Sequence, residues 1–536
     1  MSSFATRFVA GLAAAAFLVT LSVGAQAADW PQWRGPNHDC VVPGEQPKVA
    51  VWDAKVGPLK LWDSPEIPSS SNGGLGSVVV AGDRVYLLAT PKSVDKLTER
   101  KLDGNGLRNL GWTGAKLPDD LSKIVEDARV SDERAKLQGK PWEDWIKKFD
   151  ETNLTTPELK KLAGPVNERI WRGKGALPLD ALAKLETVKD KPFKDEAEMN
   201  AWFETNGIKD AMAKAVIGQI PTTKDRVEDT LFCLNAADGK LVWKKSYPGI
   251  VLGWGGGCTP CVADGRVYAV GSAGMIYCLD AKDGTEVWTN KGFGGDRHGS
   301  FVVVDGLAIV QVGALTAFDP AKGTVAWSQP KVNTTTNSPT PWVKDGKSLL
   351  LCNTGGAVSC VDVKTGNVLW TAPGGSSSTA AVDGDTMAIF TGNKLLGYRI
   401  SPEKAEKIWE APAGGDRGAS PLFYKGNVYL AQAGQVMCVS PADGKVLWTG
   451  KANVWEYCSA VGVDGKLLAI GNNCLNVIDA GTEKFNLLVT IPLGVAECNT
   501  PAVANGKMFI RLHNAVSCFD PSQGAPVPAQ AAPKAK

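Results

Sequence analysis

The stretch Asp280-Ala-Lys-Asp-Gly-Thr-Glu-Val-Trp288 decides the fold, because it returns along most of the chain. Copies read Asn235-Ala-Ala-Asp-Gly-Lys-Leu-Val-Trp243, Asp319-Pro-Ala-Lys-Gly-Thr-Val-Ala-Trp327, Asp362-Val-Lys-Thr-Gly-Asn-Val-Leu-Trp370 and Ser440-Pro-Ala-Asp-Gly-Lys-Val-Leu-Trp448, with a looser copy ending at Trp409. Successive tryptophans stand 45, 39, 43, 39 and 39 residues apart. That period is the length of one four-stranded propeller blade. In each copy the glycine accepts the positive φ of a tight hairpin. The closing Trp covers about 150–250 Å² and wedges against the next sheet. The abundance of glycine (59) and tryptophan (18) in 536 residues fits many short strands joined by turns.

Working outward, blades 2 to 7 begin near Thr259, Ser300, Thr340, Thr379, Ser420 and Ser459, and blade 8 near Thr500. Blade 8 lacks its last strand after Cys518-Phe519-Asp520, whereas Leu59-Lys-Leu-Trp62 looks like a fourth strand without its first three. Joining the two removes the open sheet edges. The expected fold is all-β: an eight-bladed propeller of four-stranded blades, closed by an N-terminal strand. Its structural tryptophans are Trp62, Trp243, Trp288, Trp327, Trp370, Trp409 and Trp448.

Blade 1 starts at Val78-Val-Val-Ala-Gly-Asp-Arg-Val-Tyr86 and resumes at Thr230-Leu-Phe-Cys-Leu234. Residues 92–228 intervene and hold 51 of the chain's 114 charged residues. Apolar stripes at Leu121, Ile124, Val125, Ala128 and at Trp142, Trp145, Ile146, Phe149 predict helices. Thr156-Pro157-Glu158 reads as a helix start. The segment is therefore a helical insertion in blade 1.

Arg7, the apolar run Phe8 to Val23 and Ala25-Gln-Ala27 read as a secretory signal over residues 1–27. No other stretch is long enough to span a bilayer. The mature chain is expected to be soluble, and periplasmic or secreted. It divides into 28–91 with the closing strand, the insertion 92–228, the remaining blades 229–520, and a Pro/Ala-rich, disordered tail 521–536. The near balance of 58 Lys+Arg against 56 Asp+Glu gives no footprint for nucleic acid.

The turn-and-Trp repeat resembles the tryptophan-docking repeat of the pyrroloquinoline quinone (PQQ) dehydrogenases. It resembles equally the repeat of the propeller subunit that helps assemble outer-membrane β-barrel proteins. Asp29-Trp-Pro-Gln-Trp-Arg-Gly-Pro36 is similar to the opening of many exported PQQ-like repeat proteins. The resemblance covers the mature chain apart from 92–228 and the tail, and it implies the fold. It implies activity less directly, since one propeller hosts enzymes and scaffolds. The dehydrogenases stack their quinone between a tryptophan and a disulfide of adjacent cysteines, and this chain has no Cys-Cys pair. It has no counterpart of their catalytic aspartate and no Cys-x-x-Cys-His for a c-type haem. The assembly subunit is usually lipidated on a cysteine that is missing here. Catalytic residues are thus unassigned, and no cofactor is expected.

Five of the twelve cysteines, Cys233, Cys278, Cys360, Cys438 and Cys518, share one repeat position, where other blades put Ala317 or Gly397. They read as core thiols. Cys258-Thr-Pro-Cys261 is a disulfide, a redox pair or half a metal site by spacing; a strand after it argues for a structural role. Cys458 and Cys498 lie at similar depth in blades 7 and 8 and are candidates for a bridge.

The loops leading into the innermost strands ring one mouth of the channel. The position eight residues before each first hairpin turn carries Gly256, Arg297, Asn337, Gly375, Arg417, Glu456 and Glu497. Blades 3 and 6 share Gly294-Gly-Asp-Arg297 and Gly414-Gly-Asp-Arg417. Arg297, Asn337, Arg417, Glu456 and Glu497 are the ligand candidates, with His298 beside Arg297 and with Trp254 and Trp455 as stacking platforms or plugs. The opposing expectation is that these charges pair with one another across the loops.

Three functions follow. The first is a non-catalytic binding or scaffold propeller of the cell envelope, meeting a protein through its loops or its insertion. The second is a PQQ- and calcium-dependent oxidoreductase acting on alcohols or sugars, with Glu456, Glu497 and Asn337 toward the metal. The third is a carbohydrate-binding propeller.

Overall fold

The computed structural model describes residues 28–70, 73–253, 256–292, 298–334 and 336–525. The expected signal sequence and residues 526–536 lie outside the described residues. The chain forms two compact units: Ser93–Arg226 is one, and the residues before and after it make the other.

The larger unit carries the repeat as eight antiparallel sheets. In blade 2 the strands Cys261–Ala263, Arg266–Val270, Ile276–Asp280 and Glu286–Asn290 follow one another across the sheet. The first strand of each sheet packs beside the first strand of the next. Val79–Ala81 meets Cys261–Ala263 on one side and Ala502–Ala504 on the other. The series runs on through Val302–Val304, Thr340–Lys344, Ala381–Asp383, Leu422–Tyr424 and Val461–Val463. Short strands succeeding one another in this way are the inner ring of a β-propeller. The first hairpins are the tight turns that the sequence asked for: Asp264 and Gly265 take φ of 48° and 72°, and Asp464 and Gly465 take 50° and 71°.

Blade 8 is completed by the N-terminal strand. Pro58–Asp63 pairs antiparallel with Val516–Gly524, with Trp62 opposite Cys518. The tail departs from expectation here, since Pro521–Gly524 continue the strand. The reason is local: the Pro521 carbonyl accepts the Ala50 N–H at 2.9 Å and the Trp52 indole N–H at 3.1 Å.

The repeat tryptophans dock each blade on the next. Each indole N–H donates to a backbone carbonyl in the last turn of the following sheet. Trp62 reaches Ala236 at 3.1 Å, Trp243 reaches Ala281 at 3.2 Å, and Trp288 reaches Pro320 at 2.8 Å. Trp327 bonds Val363, Trp370 bonds Ser401, Trp409 bonds Pro441 and Trp448 bonds Gly481, all at 2.7–2.9 Å. The turn glycine beneath the ring has a second role besides its φ. A Cβ on Gly239, Gly323 or Gly366 would lie 2.4–2.5 Å from the docked indole. Across the sheet, the small residue opposite each Trp is Cys233, Cys278, Ala317, Cys360, Gly397, Cys438 or Cys518. The shared cysteine position is therefore the wall on which the indole lies. Blade 7 breaks the rule, with Val477 opposite Val489.

The smaller unit is helical. Its longer helices are Asp119–Val130, Lys140–Asn153, Ala163–Arg172 and Glu196–Asn206. Thr156 caps its helix by accepting the Leu159 N–H at 3.2 Å, as its sequence implies. Leu121, Val125, Phe149, Val166 and Ile170 form one apolar core, and Leu107, Leu182, Leu185, Met199 and Phe203 another. Buried Arg169 ion-pairs with Glu126, which also takes Arg129 at 2.7 Å. Burial alone would raise the Glu126 pKa; the two guanidiniums hold it below its ordinary value.

Candidate functional site

The mouth rests on a belt of hydroxyls. A Ser or Thr at the start of each innermost strand accepts the backbone N–H of its counterpart in the preceding blade. The links run Thr500 to Ser77 at 2.8 Å, Ser77 to Thr259 at 2.9 Å, and Thr259 to Ser300 at 3.1 Å. They continue Ser300 to Ser338 at 2.9 Å, Ser338 to Thr379 at 3.4 Å, and Thr379 to Ser420 at 3.0 Å. In blade 4 the belt residue is Ser338 and not Thr340, whose hydroxyl turns to the Ala380 carbonyl. The belt then changes: the Ser420 N–H meets the Cys458 carbonyl at 3.4 Å. The buried Ser459 hydroxyl has no hydrogen-bond partner among the described residues.

Two of the mouth candidates, Arg297 and Trp254, lie outside the described residues. Asn337 is 1% exposed and joins two loops. Its amide N–H donates to the Ser376 and Ser378 carbonyls at 3.3 and 2.8 Å, and its oxygen accepts the Thr334 and Thr336 hydroxyls. Arg417 and Glu456 come together with 3.6 Å between Nε and Oε2, both well exposed at 69% and 43%. Glu497 accepts a hydrogen bond from Ser70. His298 packs its ring on Gly257, where a Cβ would lie 2.1 Å from Nδ1. Trp455 is half-buried and bonds its backbone to Ile470. In the Gly-Gly-Asp-Arg motif of blade 6 the buried member is the acid. Asp416 accepts the N–H groups of Gly418, Ala419 and Ala433 at 2.8–3.0 Å, which fixes the loop that presents Arg417.

All twelve cysteines are free. The candidate pairs 258–261 and 458–498 stand here as separate thiols. The Cys258 sulfur accepts the Val270 N–H at 3.2 Å, while Cys261 faces the Gln32 side chain at 3.6 Å. Cys498 reaches the Glu456 carbonyl at 3.7 Å instead of Cys458. Burial pushes the Cys258, Cys261 and Cys498 thiols up to about 12, so little thiolate forms at neutral pH. Among the described residues no cluster of His, Cys, Asp and Glu is suited to a metal ion.

The N-terminal segment is the feature that the repeat did not announce. Residues 29–53 cross the innermost strands of five blades. Trp30 pairs with Val80 in blade 1 and Pro31 accepts from Val262 in blade 2. Arg34 donates to the Pro421 carbonyl in blade 6 at 2.7 Å. Cys40 and Val42 bracket Gly462 in blade 7, and Asp29 accepts from Asn505 in blade 8. Glu45 accepts the Tyr424 hydroxyl at 2.6 Å, and Asp464 holds Lys48 and the Val49 N–H. His38 is buried here; desolvation, then the Arg34 charge, pull its pKa down to about 3. The bonds to Val80, Gly462, Asp464 and Asn505 lie beside the first hairpins, whereas Arg34 reaches Pro421 at the start of its innermost strand. The sequence cue was the unusual density of Trp, Gly and Pro in residues 30–36.

A cleft of about 450 Å³ is lined by Gly374, Lys394, Tyr398, Lys407 and Glu410. Its charges are paired: Glu410 meets Lys394 at 3.0 Å and Lys407 at 2.8 Å.

Comparison with known proteins places the repeat. The family model described as "Outer membrane protein assembly factor BamB" matches residues 222–396 and 311–530. A tetrathionate hydrolase of Acidithiobacillus ferrooxidans is 25% identical over 248 residues, which are 40% of this chain and 48% of the hydrolase, so the chain spans about half of that relative. The outer membrane protein assembly factor BamB of Yersinia pestis is 22% identical over 298 residues, 51% of this chain and 74% of that protein. Among solved structures, BamB of Moraxella catarrhalis superposes with a TM-score of 0.44 at 12% identity, over 55% of this chain and 93% of that one. The quinohemoprotein alcohol dehydrogenase of Comamonas testosteroni gives 0.45 at 12% identity, over 57% and 74%.

Proposed function

The chain belongs to the PQQ-like β-propeller family, and from that premise we propose that it is an exported, non-catalytic binding or scaffold protein of the cell envelope. The observation that carries this reading is the use of the mouth's polar groups. Asn337 and Asp416 are occupied by loop bonds, Arg417 by Glu456, and Glu497 by Ser70. A mouth wired in this way presents fixed loops, which suits contact with another protein better than capture of a charged small molecule. The family model and the Yersinia relative, an outer membrane protein assembly factor by its name, support a protein partner. Among the described residues no helix is long and apolar enough to cross a membrane.

Among the described residues, the engaged donors of the mouth favour a reading without a quinone and its calcium. The Asn337 oxygen already accepts two hydroxyls, and the Asp416 carboxylate is filled by backbone N–H groups. The cysteines are separate thiols and form no bridged stacking plate. Among the described residues, the half-buried Trp455 favours the carbohydrate reading.

The test is a melting curve of the mature protein with PQQ and Ca²⁺. No shift is expected. A saturable rise that Arg417→Ala abolishes would replace this reading by the oxidoreductase. Failure to recover any specific protein from cross-linked native envelopes would count against the scaffold.

A further inference from the structure

Three arginines are almost wholly buried, and they differ in what meets their charge. Arg169 has the Glu126 carboxylate. Arg511 has no carboxylate, but each of its nitrogens is bonded: Nε to Ser69, Nη1 to Gly76 and Leu88, Nη2 to Pro68 and Gly73. Arg34 is 1% exposed and has neither solution. Its Nε donates to the His38 carbonyl at 2.9 Å and its Nη2 to Pro421 at 2.7 Å. Its Nη1 has no hydrogen-bond partner among the described residues. The guanidinium lies 5.7 Å from the Trp33 ring, which adds attraction but fills no N–H.

The nearby acid does not neutralise it. Asp39 turns its carboxylate to the Val41 N–H at 2.9 Å and makes no ion pair with Arg34. Burying a guanidinium whose neighbouring carboxylate, Asp39, makes no ion pair with it is costly unless something completes its charge and hydrogen bonding. A second orphan lies on the same seam of the ring. Pro421, which binds Arg34, follows Ser420, whose N–H meets Cys458; the next residue is Ser459, with its partnerless buried hydroxyl. The segment carrying Arg34 is tied to blade 7 as well, because the Cys40 N–H bonds the Arg34 carbonyl and the Cys40 carbonyl takes the Gly462 N–H, each at 2.9 Å.

We propose that Arg34 holds a small monovalent anion of about the size of chloride, buried where the N-terminal segment meets blades 6 and 7. The anion supplies the missing charge, completes the Nη1 bonding and locks the N-terminal segment to the ring. A halide suits the place, since it accepts from several directions and demands no donor geometry of its own. This site does not rest on the scaffold reading.

The experiment compares melting temperature in sodium chloride, sodium bromide and sodium gluconate at equal ionic strength. Wild type should show a saturable rise, on the order of 2 °C or more, in chloride and bromide over gluconate. Arg34→Met should remove the halide-specific part. Crystals grown in bromide should show an anomalous peak within hydrogen-bond distance of Arg34 Nη1. That peak decides the matter even if Arg34→Met fails to fold. Equal curves in chloride and gluconate would overturn the proposal. So would a halide effect that survives Arg34→Met, or a bromide map with no peak beside Arg34.

Discussion

Seven blade seams are closed by a tryptophan from the fourth strand of the preceding sheet, whereas the seam between blades 7 and 8 receives its indole from Trp52, outside the repeat. The substitution is close in detail. Trp409 binds the Pro441 carbonyl in Ser440-Pro-Ala-Asp-Gly444, and Trp288 binds Pro320 in Asp319-Pro-Ala-Lys-Gly323. Trp52 binds Pro521 in the equivalent Asp520-Pro521. Blade 7 offers Val489 where its own Trp should stand. The hydroxyl belt fails in the same sector, at Ser420 and Ser459. Arg34, Cys40, Glu45 and Asp464 tie the N-terminal segment down there. Where the repeat decays, a segment from outside it restores the lost contacts, so residues 29–53 act as part of the ring.

The comparison breaks most easily at Trp52. It is 4% exposed, much like the repeat tryptophans. Trp52→Ala should therefore cost about 3–5 kcal/mol, the same range as Trp288→Ala, because each removes a buried indole and leaves a cavity. Urea unfolding followed by tryptophan fluorescence measures both. A cost below about 1 kcal/mol at Trp52 alone would show that the eighth seam needs no indole and that the segment is an ornament.

Acid is the next lever, and through His38 it reaches the restored sector. His38 has a folded pKa of about 3 against 6.5 when free. Between those values the unfolded chain binds a proton that the folded chain refuses. Stability therefore falls as pH drops from 6.5 toward 3, by about 1.4 kcal/mol per pH unit at the steepest. Neighbouring Asp39 works in the opposite sense, since burial raises its pKa. The difference between wild type and His38→Gln isolates the histidine. Melting temperatures of the two proteins that stay parallel from pH 7 to pH 4 would remove His38 from the buried sector.

A third change probes why the regular seams look as they do. At Gly397 a Cβ would lie 2.0 Å from the Trp409 ring. Gly397→Ala should cost about 1–3 kcal/mol by overpacking. In blade 7 the facing pair is valine on valine, so Val477→Ile should be tolerated far better. Equal costs would mean that the small residue opposite each Trp is a coincidence of sequence.

Much of this ring was legible in the residues. The Trp and Gly of each hairpin recur with the period of a blade, and the cysteines share their register, because both follow from strand pairing. The closing strand Leu59-Lys-Leu-Trp62 was legible for the same reason. Trp52 was not, since nothing around it repeats and its partner is a carbonyl hundreds of residues away. The mouth was only half legible. Position before a turn tells which loop a residue occupies, but loops have no period to fix side-chain direction. Thus Asn337 and Arg417 hold equivalent places, and one is buried under Ser376 and Ser378 while the other stands in solvent. Asp416 escaped notice because its neighbour Arg417 looked like the functional half of the motif.

The smallest expected effect tests that mouth. Arg417 and Glu456 are 3.6 Å apart and mostly solvated, so their attraction contributes at most about 1 kcal/mol. Arg417→Ala, Glu456→Ala and the double variant form a cycle whose coupling should fall between 0 and about 1 kcal/mol and shrink in high salt. Asp416→Asn should cost more than either, because a charged acceptor of three backbone N–H groups becomes neutral and must turn one amide N–H toward donors. If the exposed pair proved the costlier, the loop would be organised around Arg417 and Glu456, and their charges would deserve the ligand role that the scaffold reading denies them.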